Sequence, residues 1–148
     1  MAKRNFQFKD IKITGTRVRV QVDMSRFEKQ FRDAQYYLDS QVMTDMVPYM
    51  PRDKNVFINL VRARSAALAG SGSVVAGVPP SGRFLYEGKV MIDPVTGSPW
   101  ARKDTKKVVT NRPLIYSNPQ ATPHWFDTAK ERHGKQWVEE TKRIAGGG

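Results

Sequence analysis

Residues able to do chemistry are few in this chain, and their spacing is poor for it. His124 and His133 are the only histidines and stand nine apart. They cannot share a helix face at i, i+4 as a zinc-binding pair does. Asp127 and Glu131 are four apart, a spacing that ordinarily marks a solvated helix face, and nothing nearby completes a metal site around them. Ser71-Gly72-Ser73 lies in a glycine-rich stretch, but no Gly-Lys-Ser/Thr follows to make a phosphate loop. There is no paired-carboxylate set and no nucleophile elbow. Without cysteine the chain has neither disulfides nor thiolate metal sites. The expectation is a protein that is not an enzyme, with no catalytic residue, no metal and no cofactor. The enzymatic rival is a nuclease acting through Asp127, Glu131 and His133.

Charge is the more informative property. Twenty-five Lys and Arg oppose fourteen Asp and Glu, a net charge of +11 over 148 residues. That exceeds the magnitude of about 2–8 usual for a small domain and favours an anionic partner, either nucleic acid or an acidic protein surface. Arg102, Lys103, Lys106, Lys107 and Arg112 are the densest cationic run, opposed only by Asp104. This run reads equally as a solvated loop or as a contact to phosphates or a partner protein. Trp100 is its one aromatic neighbour, so it is no stacking platform for single strands. No helix-turn-helix or zinc-finger spacing appears.

The chain has the length of one domain with a real core. With 39% apolar residues and a mean hydropathy of −0.56, that core is expected to be modest. No window approaches 18 consecutive apolar residues, so no membrane span and no membrane partner are expected. The opening Met-Ala-Lys-Arg-Asn-Phe has a basic start without an apolar run, so no secretory signal is expected there. No period of 20–50 residues repeats.

The elements that must position these residues follow from periodicity. Phe27, Phe31, Ala34, Leu38, Val42 and Met46 make one apolar stripe, predicting a helix over 25–46 with Ser25 and Glu28 at capping-box spacing. Pro48 stops it, and Val47-Pro48-Tyr49-Met50-Pro51 makes a stiff elbow. Residues 1–10 read as a mobile basic arm. Strands are expected near 13–23, 72–78, 84–92 and 108–116, with Val56 to Leu68 open between helix and strand. In the first strand Val18, Val20 and Val22 face the core while Arg17, Arg19 and Gln21 face water. Thr122 and Pro123 read as the N-cap and first residue of a helix over 123–133, which Gly134 interrupts. Residues 93–117 read as a basic loop or hairpin arm, and 145–148 as a flexible tail. The fold class is α+β: one small antiparallel sheet packed on the long N-terminal helix, with Phe27, Phe31, Leu38, Val18 and Val20 meeting between them. The C-terminal helix and long loops complete it.

Four motifs in order resemble the minor capsid proteins of tailed bacteriophages, of the neck or tail-completion type found in long-tailed phages. The long helix leads into Asp45-Met46-Val47-Pro48-Tyr49-Met50-Pro51, similar to the family's acidic–apolar–Pro–Tyr–apolar–Pro elbow. Phe57-Ile58-Asn59-Leu60-Val61-Arg62-Ala63-Arg64-Ser65 resembles the segment after it, although the glycine usual soon after the second proline is missing. Phe84-Leu85-Tyr86-Glu87-Gly88 resembles its aromatic–x–Gly element. Pro119-Gln120-Ala121-Thr122-Pro123-His124-Trp125-Phe126, with Ala129, Lys130 and Trp137 beyond, is similar to its closing signature. Pro48, Tyr49, Pro51, Tyr86, Gly88, Pro119, Ala121, Trp125 and Phe126 carry the likeness.

The resemblance implies a structural virion protein, assembled in the host cytoplasm. It would form a homo-oligomeric ring of six or twelve copies in the head–tail neck, around the channel through which DNA leaves. Its partners would be itself, the connector or stopper and tail terminator proteins, and non-specifically double-stranded DNA. Segments 70–83 and 93–117 are expected to pack on those neighbours, because they combine Gly, Pro and charge with isolated apolar spots. The alternative is a basic DNA-binding module without catalytic activity.

Overall fold

A computed structural model describes residues 7–147; residues 1–6 of the expected arm and residue 148 of the expected tail lie outside them. The fold is α+β. In chain order it runs β1 (Ile11–Thr14), β2 (Arg19–Val22), α1 (Ser25–Met46), a 3₁₀ turn (Val47–Tyr49), α2 (Val56–Leu68), α3 (Gly82–Glu87), β3 (Lys89–Ile92), β4 (Val108–Pro113) and α4 (Trp125–Ile144). The strands form two separate antiparallel ribbons, β1–β2 and β3–β4, where one sheet was expected.

The expected strand over 13–23 is instead a tight hairpin. Gly15 N–H donates to the Val18 carbonyl at 2.7 Å and reverses the chain. Every residue of both strands is exposed, so the alternation of the sequence is present but buries nothing. Val18, Val20 and Phe27 are exposed and do not meet in a core. The 84–92 strand begins only at Lys89, because Gly82–Glu87 is helical, and the last strand stops at Pro113. Residues 72–78 form no strand. They lie on the body, with Val78 buried and Val74 and Val75 packed against the core. Segment 70–83 thus packs partly on its own chain, while Gly72, Ser73, Pro79, Pro80 and Arg83 stay exposed.

The core forms where α1, α2 and α4 converge. Val42, Met43, Met46, Met50, Ile58, Val61, Val78, Trp125, Ala129 and Trp137 are its buried side chains. Helix α4 runs antiparallel to α1: its Trp137 meets Asp45, while Gly146, just past its end, lies beside Gln30. That geometry explains the split stripe of α1. Ala34, Val42 and Met46 are buried, but Phe27 overhangs the end of α4 and stays exposed. Phe31 is half-buried, edge-on to Phe8 at 5.4 Å. Residues 7–10 are therefore attached to the body.

Helix ends also differ from expectation for local reasons. The Ser25–Glu28 capping box is not formed; the helix has no side-chain bond from its N-cap, Met24. Glu28 instead accepts the Phe8 N–H at 2.9 Å, and Asp23 accepts the Ser25 N–H at 2.9 Å. Helix α4 starts at Trp125 rather than Pro123, with His124 at φ 50° before it, and Thr122 bonds the Thr128 hydroxyl at 2.9 Å. It continues through Gly134, whose cost of about 1 kcal/mol in a helix is outweighed by burying Ala129 on one side and Trp137 on the other. At its end Gly146 (φ 92°) lets the Gly147 and Gly146 N–H groups reach the Lys142 and Arg143 carbonyls, a Schellman closure. The first residues of the expected tail are thus a helix cap.

Candidate functional site

The residues of the four motifs come together as a clasp in the interior. Segment 117–125 lies across the elbow and ties it by backbone. Asn118 Nδ2 donates to the Pro48 and Met50 carbonyls at 3.0 and 3.1 Å. The Thr122 N–H donates to the Tyr49 carbonyl at 3.1 Å, and Ser117 Oγ to the Arg52 carbonyl at 2.6 Å. Trp125, fully buried, receives Tyr86 at 4.8 Å and Phe57 at 6.1 Å between ring centres, both edge-on. Burial, and then the charges of Asp127 and Glu87, push the Tyr86 phenol up from its ordinary value.

Gly88 (φ 67°) is buried against Pro123, where a β-carbon would lie 2.6 Å from the proline Cβ. Phe126 stacks on Trp137, and Pro51 is buried. Ala121 is half-buried with its N–H on the Asn118 carbonyl, and only Pro119 stands in the open, at the turn of the clasp. These motif residues hold the fold together and present almost no accessible chemistry.

The 93–117 segment holds the ordered loop and the second strand of the β3–β4 hairpin, whose first strand precedes it. Its organiser is Asp93, which the expectation of a basic loop or hairpin arm over 93–117 does not single out. The Asp93 carboxylate accepts the N–H groups of Val95, Thr96 and Arg102 at 2.8, 3.2 and 3.2 Å, and Arg102 Nε at 2.9 Å. It is closed off by this single loop and not by the core. The Arg102 guanidinium, with those N–H groups, holds the Asp93 carboxyl far below the usual carboxylate range. All five expected contact cations are exposed, and two of them also have a partner within the chain: Arg102 on Asp93, and Lys107, whose ammonium lies 6.0 Å from the Phe84 ring centre. The loop presents Trp100, 86% accessible, and Ile115 beyond β4 is 96% accessible.

The first ribbon offers a second surface. Opposed residues in an antiparallel pair share a face. The register Ile11↔Val22 and Ile13↔Val20 therefore gathers four aliphatic side chains on one side. Lys12↔Gln21 and Thr14↔Arg19 make the other side polar. Ile13 is 60% accessible, and the other three aliphatics are exposed as well. The ribbon is held at its root, where Asp10 accepts the Met24 N–H at 3.0 Å and Phe8 meets Phe31.

An apolar cleft of about 480 Å³ lies between α1, residues 72–76 and α4, lined by Leu38, Val42, Met46, Val74, Phe126 and Val138. Asp39, buried beside it, accepts the N–H groups of Gly70 and Gly72 at 2.8 and 2.9 Å and fixes the glycine turn. His124 lies between Glu87 (3.4 Å) and Asp127 (3.8 Å), while His133 approaches the Tyr49 hydroxyl at 3.4 Å. Among the described residues no group of three or more His, Asp or Glu side chains could hold a metal. No helix among them is long and apolar enough to cross a membrane. Comparison with protein-family models, with curated proteins and with solved structures gives no match.

Proposed function

We propose that this chain is a structural virion protein of a tailed phage, forming a ring in the head–tail neck that joins the connector to the tail around the DNA exit channel. The observation that carries this reading is the apolar face of the β1–β2 ribbon, with Ile11, Ile13, Val20 and Val22 all exposed. A two-stranded ribbon is marginal in water by itself. A contiguous bare apolar face of this kind is what a contact surface requires.

Trp100 and Ile115 lie outside this ribbon, so one copy carries several distinct apolar exposures. Contacts between unlike surfaces are head-to-tail, and they close into a ring when their rotation permits. The partners are further copies of this chain, six or twelve in all, with the connector or stopper and the tail terminator above and below. The chain does no catalysis in this role and needs no metal or cofactor.

The test is the double substitution Ile13→Ser and Val20→Ser in a phage carrying the protein. Both side chains are exposed, so the subunit is expected to keep its far-UV circular dichroism while disappearing from purified virions. Tailed virions that contain the variant at normal copy number would refute the ribbon as a joining surface. Virions that lack the unmodified protein altogether would refute the neck reading.

A further inference from the structure

We propose that the polar face of the β1–β2 ribbon contacts the phosphate backbone of duplex DNA through Lys12, Arg17 and Arg19. Lys12 and Arg19 lie on one face with Thr14 and Gln21, and Arg17 stands in the turn at the free end. No acid occurs from Ile11 to Val22. Asp10 and Asp23 are both at the root, where they accept the Met24 and Ser25 N–H groups at the start of α1. The charge of the face thus runs from negative at the helix to positive at the projecting end. Among the described residues, none of Lys12, Arg17 and Arg19 has an ion pair or a hydrogen-bonded side-chain partner, and all three are exposed.

The geometry suits a phosphate lattice. Lys12 and Arg19 are diagonal neighbours across the ribbon, roughly 7–8 Å apart at the backbone. With two long side chains, that separation lets the two cations reach neighbouring phosphates along the backbone of a duplex. A two-stranded ribbon is also narrow enough for the major groove, which is about 12 Å wide. The β3–β4 hairpin is the weaker candidate, because Asp93 holds Arg102, Phe84 sits under Lys107, and Asp104 is exposed among the remaining cations. With no base-reading constellation in view, the contact is sequence-independent. Its expected Kd is about 10⁻⁴–10⁻⁶ M at physiological salt, weak enough for DNA to slide past.

The experiment titrates a fluorescent mixed-sequence duplex with the full chain between about 50 and 200 mM salt. It compares the wild type with the triple variant Lys12→Gln, Arg17→Gln, Arg19→Gln and with Lys103→Gln, Lys106→Gln, Arg112→Gln, circular dichroism confirming the fold of each. Loss of three phosphate contacts reduces the slope of log K against log salt by about 2.7. That loss is expected in the ribbon variant, with the hairpin variant keeping the wild-type slope. An unchanged slope in the ribbon variant, equal losses in both variants, or no duplex binding by the wild type at low salt would each overturn the proposal. So would tighter binding of polyglutamate than of the duplex at equal charge and salt, which would identify an acidic protein surface as the partner. Duplex binding is read on the isolated chain and ring assembly on virions, so failure of one is distinguishable from failure of the other.

Discussion

The bond from Trp137 Nε1 to Asp45 Oδ2, 2.6 Å long, joins the two long helices and can be weighed by a double-mutant cycle. Trp137 is buried between Phe126 and His133. Asp45 is half-buried and also accepts Gln41 Nε2 at 3.0 Å. A hydrogen bond to a charged acceptor is worth about 1.5–3 kcal/mol, and partial exposure of Asp45 places this one near the lower end, about 1.5 kcal/mol. Trp137→Phe removes the donor while keeping an aromatic ring. Asp45→Ala removes the acceptor and, with it, the Gln41 bond, a loss present on both arms of the cycle that therefore cancels. Each single variant is expected to lose at least about 1.5 kcal/mol, and the double variant to lose about 1–2 kcal/mol less than the sum. Urea unfolding followed by far-UV circular dichroism measures this without depending on the deleted indole, and an unchanged m-value would show that compactness is preserved. Additivity within about 0.5 kcal/mol would refute the argument that this bond couples α1 to α4.

Gly88→Ala should destabilise by about 2–5 kcal/mol, combining the left-handed backbone penalty of about 1–2 kcal/mol with overpacking against Pro123 of about 1–3 kcal/mol; a loss below about 1 kcal/mol in the same assay would mean that the clasp gives way freely. The Asp93 loop should be acid-sensitive. Because the folded state lowers this carboxyl's pKa, its contribution is complete above about pH 4 and is lost as the pH falls through the lower folded value. The Val95 and Thr96 amide resonances should therefore hold constant from neutral pH down to about 4 and move only below it, while Asp93→Asn should displace them already at neutral pH. Amide shifts indifferent to that substitution would count against Asp93 as the organiser.

What was legible in the sequence divides along physical lines. The helix at 25–46 carried its own period and a proline stop, and it is found at Ser25–Met46. The α+β class followed from alternation in one place and 3.6-residue spacing in another. Burial was not legible in the same way. Alternation states which side chains share a face, and Val20 with Val22 do share one, but it does not state whether anything covers that face. The polar pairing was likewise read correctly as cationic while its inner partner face was misplaced. Gly134 was read by propensity as a break, and the tertiary contacts of Trp137 and Ala129 override it. Asp93 was missed because its partners lie two to nine residues ahead and become ligands only once the loop has closed. The Asp-Pro-Val-Thr turn at 93–96 is the one local signal that could have marked it.

The arrangement of the motifs bears on what the remaining surface is for. Elbow, aromatic–Gly element and closing segment meet in one clasp, in which Asn118, Thr122 and Pro123 hold Pro48, Tyr49 and Gly88. Substituting these residues tests folding, and no partner needs to touch them. The features free to meet a partner lie elsewhere: the two faces of the first ribbon, Trp100 on its Asp93-stabilised loop, and Ile115. The interior positions of the clasp are constrained by packing density, whereas exposed ribbons and loops change with little cost to stability. Packing therefore restricts the residue types of the clasp, while the exposed faces of the ribbon and loop are free of that restriction. The surface substitutions Ile13→Ser and Val20→Ser, which spare the clasp, are for that reason the sharper probe of function than any change within the motifs themselves.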